Sequence, residues 1–424
     1  MLTNAPRGTK DILPATVGAW RYVEQVMREV CRDFDYQEIR TPIFEHTELF
    51  KRGIGDTTDV VEKEMYTFMD KGERSITLRP ENTASVVRSY VENKMYADGN
   101  VTKLFYIGPM FRFDRPQAGR QRQFHQFGIE ALGSSSPAID AETILLALEV
   151  LQRLGLKDLR LKLNSVGCSK CRPVHRKLLQ DFFRPNLDKL CHDCQSRFER
   201  NPLRLLDCKN ESCRQYAVGA PKITDCLCEE CQSHFAQVQQ LLTAAGVEFE
   251  LDSNLVRGLD YYTKTAFEIQ YPPLGAQSAV SGGGRYDGLV EQIGGPATPG
   301  IGFAMGMERV LLALDKQNLL PDTALALDAF VVVPNAQHLP VAFQTVSALR
   351  SKGVACDLDF QGRSMKAQMK QANRHAAKRV IIFGDDEVAR GAVAVRDMTT
   401  SEQTEVKLDN LASIFDKTEV QKHE

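Results

Sequence analysis

The sequence predicts an α+β fold: a large, mostly antiparallel sheet flanked by helices, with a separate α/β domain after it. Three observations carry this. Short, turn-bounded, β-rich runs recur with few helical patterns between them, unlike the regular alternation of a doubly wound sheet. A cysteine-rich island over 167–232 interrupts the strand series and reads as an insertion. Beyond a Pro-containing linker, Gln317–Leu327, strands and helices begin to alternate. The expected domains are 1–320, carrying the insertion, and 328–424.

The elements follow in order. Val23, Val26, Met27 and Val30 at helical spacing predict a helix over Trp20–Phe34. Pro42 breaks a short extended run, Glu38–Ile43. Strands are predicted at Leu104–Met110, Phe124–Leu132, Leu159–Asn164, Val247–Leu251, Ala266–Gln270 and Ser278–Ser281, and a helix over Ala304–Leu314. After the linker come strand Ala329–Val333, helix Val341–Ser351, strand Cys356–Asp359, helix Ser364–Ala376, and strands Arg379–Phe383 and Ala392–Arg396.

Composition narrows the function classes. With 43% apolar and 25% charged residues, the 424-residue chain is globular rather than disordered or coiled coil. Lys+Arg 53 against Asp+Glu 55 argues against a protein that coats nucleic acid non-specifically, but not against an enzyme with local basic patches. The polar start, Met1–Pro14, has no secretory leader pattern, and no apolar run is long enough for a membrane helix. A cytoplasmic protein is expected, with its 11 cysteines reduced.

Four segments carry chemistry. The densest runs from Phe111-Arg112-Phe113 through Asp114, Arg115, Gln117, Arg120 and Arg122 to Gln123–Glu130. It reads as two strands joined by an arginine-rich loop. Alternation puts Phe124, Gln126, Gly128 and Glu130 on one face, a polar floor beside a stacking platform. Arg112 suits a phosphate or carboxylate, which its planar fork binds bidentately. In Arg79-Pro80-Glu81-Asn82-Thr83, Glu81 could bind an ammonium group or be only the acidic start of a helix. Arg257-Gly258-Leu259-Asp260-Tyr261-Tyr262 offers an arginine and two oriented hydroxyls, or a turn with core tyrosines. Gly282-Gly283-Gly284 and Gly300–Arg309 let backbone approach a ligand, or form a glycine-rich turn feeding a helix.

Together these segments resemble the catalytic core of a class II aminoacyl-tRNA synthetase, and most closely the histidyl-tRNA synthetase family. Pro6–Asp11 resembles that family's opening motif, Tyr36–Asp59 its dimer-forming motif 1, Phe111–Glu130 motif 2, and Gly300–Arg309 motif 3. Arg257–Tyr262 resembles the histidine-specific signature. The resemblance implies that L-histidine and ATP, with Mg2+, form histidyl-adenylate and pyrophosphate, and that histidine then passes to the 3′ end of tRNA(His). It implies histidine binding by Glu81, Thr83, Arg112, Gln126, Glu130, Arg257, Tyr261 and Tyr262. ATP would be bound by Arg112, Phe124 and Arg309, and catalysis would rest on Arg112 and Arg257. It also implies a homodimer.

The C-terminal domain resembles an anticodon-binding domain. There Arg363, Lys366 and Lys370 are spaced to share a helix face, continued by Arg374. These three, with Arg115, Gln117, Arg120 and Arg122 of the motif 2 loop, are the expected tRNA contacts. In the insertion, Cys168/Cys171, Cys191/Cys194 and Cys228/Cys231 have C-x-x-C spacing, and Cys208/Cys213 is looser. These could hold structural Zn2+ in two four-thiolate sites, or be reduced thiols in a helical insertion. Their pairing is open.

A second reading is the histidine-sensing paralogue that regulates ATP phosphoribosyltransferase. It typically lacks the C-terminal domain and has an eroded ATP and tRNA site. This chain keeps that domain, the arginine-rich loop and Arg257. Another class II synthetase with a similar C-terminal domain is argued against by Arg257–Tyr262, and a non-catalytic RNA-binding scaffold by the intact ATP-site pattern.

Overall fold

In the computed structural model the described residues are 3–55, 58, 60–206, 208, 210–256, 259–322 and 326–415. The chain divides into two units, Met1–Pro321 and Asp322–Glu424. The first unit runs α1 (Pro14–Asp33), β1 (Gln37–Glu38), β2 (Phe44–His46), α2 (Thr47–Ile54), β3 (Tyr66–Met69), β4 (Ser75–Leu78), α3 (Thr83–Glu92), β5 (Thr102–Phe111), β6 (Gln123–Leu132), α4 (Pro137–Arg153) and β7 (Arg160–Ser165). The insertion then supplies α5 (Cys171–Phe183), α6 (His192–Arg200) and α7 (Glu211–Ala217), and the chain returns through α8 (Glu229–Ala244). The unit closes with β8 (Glu250–Leu251), β9 (Thr263–Gln270), β10 (Ala279–Arg285), α9 (Leu289–Gln292), β11 (Gly300–Gly306) and α10 (Met307–Lys316).

The main sheet has eight strands in the order β1-β5-β6-β11-β10-β9-β7-β8. Its inner pairs are antiparallel; only the edge pairs β1–β5 and β7–β8 are parallel. A strand alternates its side chains, so each strand divides its residues between two layers. Phe105, Phe127, Ile129, Phe267, Ile269, Ile301, Phe303 and Met305 point to one side and build the core with α1, α4, α8 and α10. The opposite side of β10 and β11 carries Gly282, Gly284, Gly302, Ala304 and Gly306 in register, leaving an open floor. The site forms on this floor.

The helix α1 buries Val23, Val26, Met27 and Val30 as its periodicity requires, and starts at Pro14, where a missing N–H costs nothing. Two segments read as glycine turns, Gly282–Gly284 and Gly300–Gly306, are strand. The following helix therefore begins at Met307 rather than Ala304, and Arg309 sits in its first turn. Beneath the sheet, Asp140 of α4 accepts hydrogen bonds from Arg285, from Thr265 at 2.6 Å and from His234 of α8 at 2.8 Å. This buried cluster anchors the helix by which the insertion rejoins the core.

A smaller antiparallel sheet, β2-β4-β3, carries exposed Phe44, Phe68 and Met69, with Ile43 exposed next to it. The second unit runs β12 (Ala329–Val332), α11 (Leu339–Ser351), β13 (Cys356–Leu358), α12 (Met365–Arg374), β14 (Arg379–Ile382), α13 (Asp385–Ala389), β15 (Ala392–Asp397) and β16 (Gln403–Lys407). Its sheet order is β13-β12-β14-β15-β16, parallel at the β13 side and antiparallel from β14 on. Arg363 lies before α12 and not on its face, because Asp359 accepts from the Arg363 backbone N–H at 2.8 Å and from its guanidinium at 3.2 Å. Lys366, Lys370 and Arg374 are exposed on α12.

Candidate active site

A cavity of about 280 Å³ lies over the glycine floor. Glu81, Thr83, Arg112, Phe124, Gln126, Tyr261, Tyr262 and Arg309 all line it, brought together from β6, α3, α10 and the connecting segments. Arg257 lies outside the described residues.

Glu81 precedes α3 and is buried; its Oε2 accepts from the Thr83 N–H at 2.6 Å and its Oε1 from the Ala84 N–H at 3.0 Å. It is both a helix start and a cavity wall, so the two readings of its sequence coincide. Burial raises its pKa against those two backbone donors. Arg112 follows β5, donates Nε to the Pro80 carbonyl at 2.8 Å, and lies 5.4 Å from the Phe124 ring centre. The amide oxygen of Gln126 is buried with no hydrogen-bond partner among the described residues, and so is set to receive a donor.

Glu130 is 1% exposed and lies under the cavity rather than in its wall. The Thr83 hydroxyl donates to it at 2.7 Å, the Tyr286 hydroxyl donates to it closely, and Tyr106 approaches at 3.5 Å. Burial pushes its pKa up to about 8, against the Tyr286 and Thr83 hydrogen bonds that favour the ionised form. Burial likewise raises Tyr106, Tyr261 and Tyr286 far above the ordinary tyrosine value, so each stays a neutral donor. Small residues make this layer possible. A Cβ on Gly302, opposite Glu130, would strike its carboxylate and the Ile129 carbonyl; one on Gly128 would strike the Tyr106 hydroxyl.

Arg309 donates Nη1 to the Ala279 carbonyl at 2.7 Å, Nη2 to Gln277 at 2.8 Å and Nε to the Gly119 carbonyl at 3.1 Å. It thus pins the arginine-rich loop to β10. In that loop Arg120 also lines the cavity and pairs with Asp114 at 2.9 Å, while Arg122 lies 4.0 Å from the Phe113 ring centre. Arg115 and Gln117 are exposed. Sequence reading missed Tyr106, Tyr286, Glu268 and Glu308, which also line the cavity. The period-2 pattern of β5 could have found Tyr106; the other three required knowing which elements are neighbours, as Glu308 of α10 is to His125 of β6.

This mostly antiparallel sheet, with its glycine floor and with Arg112, Arg120 and Arg309 lining the cavity over it, defines the core of a class II aminoacyl-tRNA synthetase. The family model for histidyl-tRNA synthetase matches residues 8–310, and an anticodon-binding domain model matches 328–418. A histidine--tRNA ligase of Desulforamulus reducens is 56% identical over 97% of this chain and 98% of its own length. One from Moorella thermoacetica is 57% identical over 96% of each. The solved structure of apo histidyl-tRNA synthetase of S. aureus superposes with a TM-score of 0.83 at 43% identity, covering 97% of this chain and 99% of that one. The chain belongs to the histidyl-tRNA synthetase family.

Proposed function

We propose that the chain activates L-histidine with ATP and transfers it to the 3′ end of tRNA(His). The observation that supports the reading is the cavity lining: Glu81, Thr83, Gln126, Tyr261 and Tyr262 offer acceptors and hydroxyls suited to an ammonium and an imidazole, and Arg112, Arg309 and Phe124 offer charge and an aromatic ring suited to a nucleotide. Glu81 and Thr83 hold the histidine amino group. Gln126, Tyr261 and Tyr262 bound the imidazole end, and Glu130 fixes the hydroxyls around it from beneath. A site of paired hydrogen bonds rejects analogues that lack the polar group far better than an apolar slot does.

Arg112 holds the substrate carboxylate and the α-phosphate, Phe124 stacks on adenine, and Arg309 holds the γ-phosphate. Arg257 stabilises the charge that develops as the carboxylate attacks. Catalysis is then positioning plus preorganised positive charge, with no covalent enzyme intermediate. Glu268 and Glu308 on the cavity wall offer the hard oxygen donors that would hold Mg2+ arriving with ATP, and the ion would neutralise polyphosphate charge. Arg115, Gln117, Arg120 and Arg122 meet the acceptor end of the tRNA, and Arg363, Lys366 and Lys370 meet its phosphates. Zinc at the cysteine sets is structural. The enzyme is cytoplasmic, and no helix among the described residues is long and apolar enough to cross a membrane. It is a homodimer through the motif 1 region, where Ile43 and Phe44 are exposed, as are Phe68 and Met69 of β3 in the same small sheet.

Charging of tRNA(His) with labelled histidine in the presence of ATP tests the reading. Ester-linked histidine at the 3′ end is expected. Histidine binding without charging would favour the regulatory paralogue.

A further inference from the structure

The insertion leaves the main sheet after β7 and rejoins it through α8. The fold sorts eight of its cysteines into two sets. Cys168, Cys171, Cys228 and Cys231 meet at the root, where the chain leaves and returns. Cys191, Cys194, Cys208 and Cys213 meet at the tip. In each set all four Sγ atoms lie within 4.8 Å of one another. The Cys168–Cys171 separation is 3.6 Å, Cys168–Cys228 3.8 Å and Cys191–Cys208 3.9 Å. Four thiolates about 2.3 Å from one Zn2+ in a tetrahedron lie about 3.8 Å apart. A disulfide would need about 2.0 Å.

Backbone N–H groups support the sulfurs. Cys228 N–H donates to Cys171 Sγ at 3.1 Å, Lys170 N–H to Cys168 Sγ at 3.4 Å, and Cys191 N–H to Cys213 Sγ at 3.1 Å. Such donors orient ligands in the shell around a metal. The sets also open helices: Cys171 begins α5, Cys191 precedes α6 and Cys228 precedes α8.

Through Arg172 the root set connects to Tyr262, a residue of the cavity wall. Arg172, next to Cys171, donates Nη2 to the Tyr262 carbonyl and Nε to the Val166 carbonyl at 3.2 Å. We propose that the chain holds two structural zinc ions, and that the root zinc, by fixing the start of α5 and with it Arg172, positions Tyr262 in the histidine pocket. This rests on the reading of Tyr262 as a histidine-pocket residue. Arg172 is a positioning residue; the tip zinc holds together the small core of Leu179, Phe183, Phe198 and Leu205.

The test uses the full chain purified without chelator under reducing conditions. Elemental analysis is expected to find two zinc per chain, and X-ray absorption to find sulfur ligands at about 2.3 Å. Arg172→Ala is expected to keep both ions and raise the KM for histidine about tenfold in pyrophosphate exchange, the scale of a lost charged hydrogen bond, with the KM for ATP unchanged. Arg172→Lys should recover part of the loss. Cys171→Ser should lose one zinc and show the same histidine defect, whereas Cys194→Ser should lose the other and leave the histidine KM intact. An active enzyme without zinc overturns the metal assignment. An unchanged histidine KM in Arg172→Ala overturns the coupling. An inert wild type that carries both ions overturns the pocket reading, and the coupling with it.

Discussion

The Thr83 hydroxyl donates to Glu130 Oε1 across 2.7 Å, joining the first residue of α3 to the C-terminal part of β6. Thr83 lines the cavity while Glu130 lies beneath it. The carboxyl thereby decides how a hydroxyl of the cavity wall is oriented toward a bound ligand, and it carries the unusual electrostatics of the site.

Glu130 keeps its proton to about pH 8 in the folded chain, whereas an unfolded glutamate ionises near about 4.3. Across that window the folded state binds more protons than the unfolded one. This group therefore makes stability fall as pH rises through the window and level off above it. Relative to wild type, Glu130→Gln should gain stability by roughly 1 kcal/mol per pH unit between about pH 5 and 8. The lost acceptor shifts the offset and not the slope. Urea denaturation at several pH values checks this, and a pH-independent difference would contradict it.

Arg112→Lys keeps the charge but loses the planar fork and its Pro80 contact. Pyrophosphate exchange should fall by about 100-fold or more, the scale of removing one oriented charge stabiliser, with little change in Tm. Exchange within a few-fold of wild type would remove Arg112 from the mechanism.

Lys366 and Lys370 are exposed on α12, far along the sequence from the cavity residues. Replacing both with glutamate should raise the KM for tRNA and flatten its salt dependence, since each lost phosphate contact reduces that slope by about one. Exchange without tRNA should stay unchanged. Equal losses in both assays would mean that the helix serves folding and not RNA.

Phe44 and Phe68 are half exposed on the small sheet. Sedimentation of the wild type should show a dimer, and Phe44→Glu with Phe68→Glu should dissociate it and abolish activity. A stable, active monomer in the wild type would sink the dimer reading.

Much of this was legible in the sequence because it rests on local periodicity. Alternation alone places Phe124, Gln126 and Glu130 on one face of β6, and they are found there. The depth of Glu130 was not legible, since it depends on Gly302 lying opposite and Tyr286 reaching over, both set by strand neighbours. Gly282–Gly284 and Gly300–Gly306 resembled turns because glycine weakens strands; here the missing side chains are the floor. The edge strand β16 is polar and exposed with no alternation, so nothing local marked it. Likewise spacing paired the cysteines within each motif, and only the return of α8 to the root of the insertion decided which pairs meet.

The central claim is that this cavity activates histidine and no other amino acid. ATP–pyrophosphate exchange with the purified protein across the full panel of amino acids tests it most directly. Exchange is expected with histidine alone, and is expected to be lost in Thr83→Val and Glu81→Gln. Exchange with another amino acid, or none with histidine from a folded, histidine-binding protein, would contradict it.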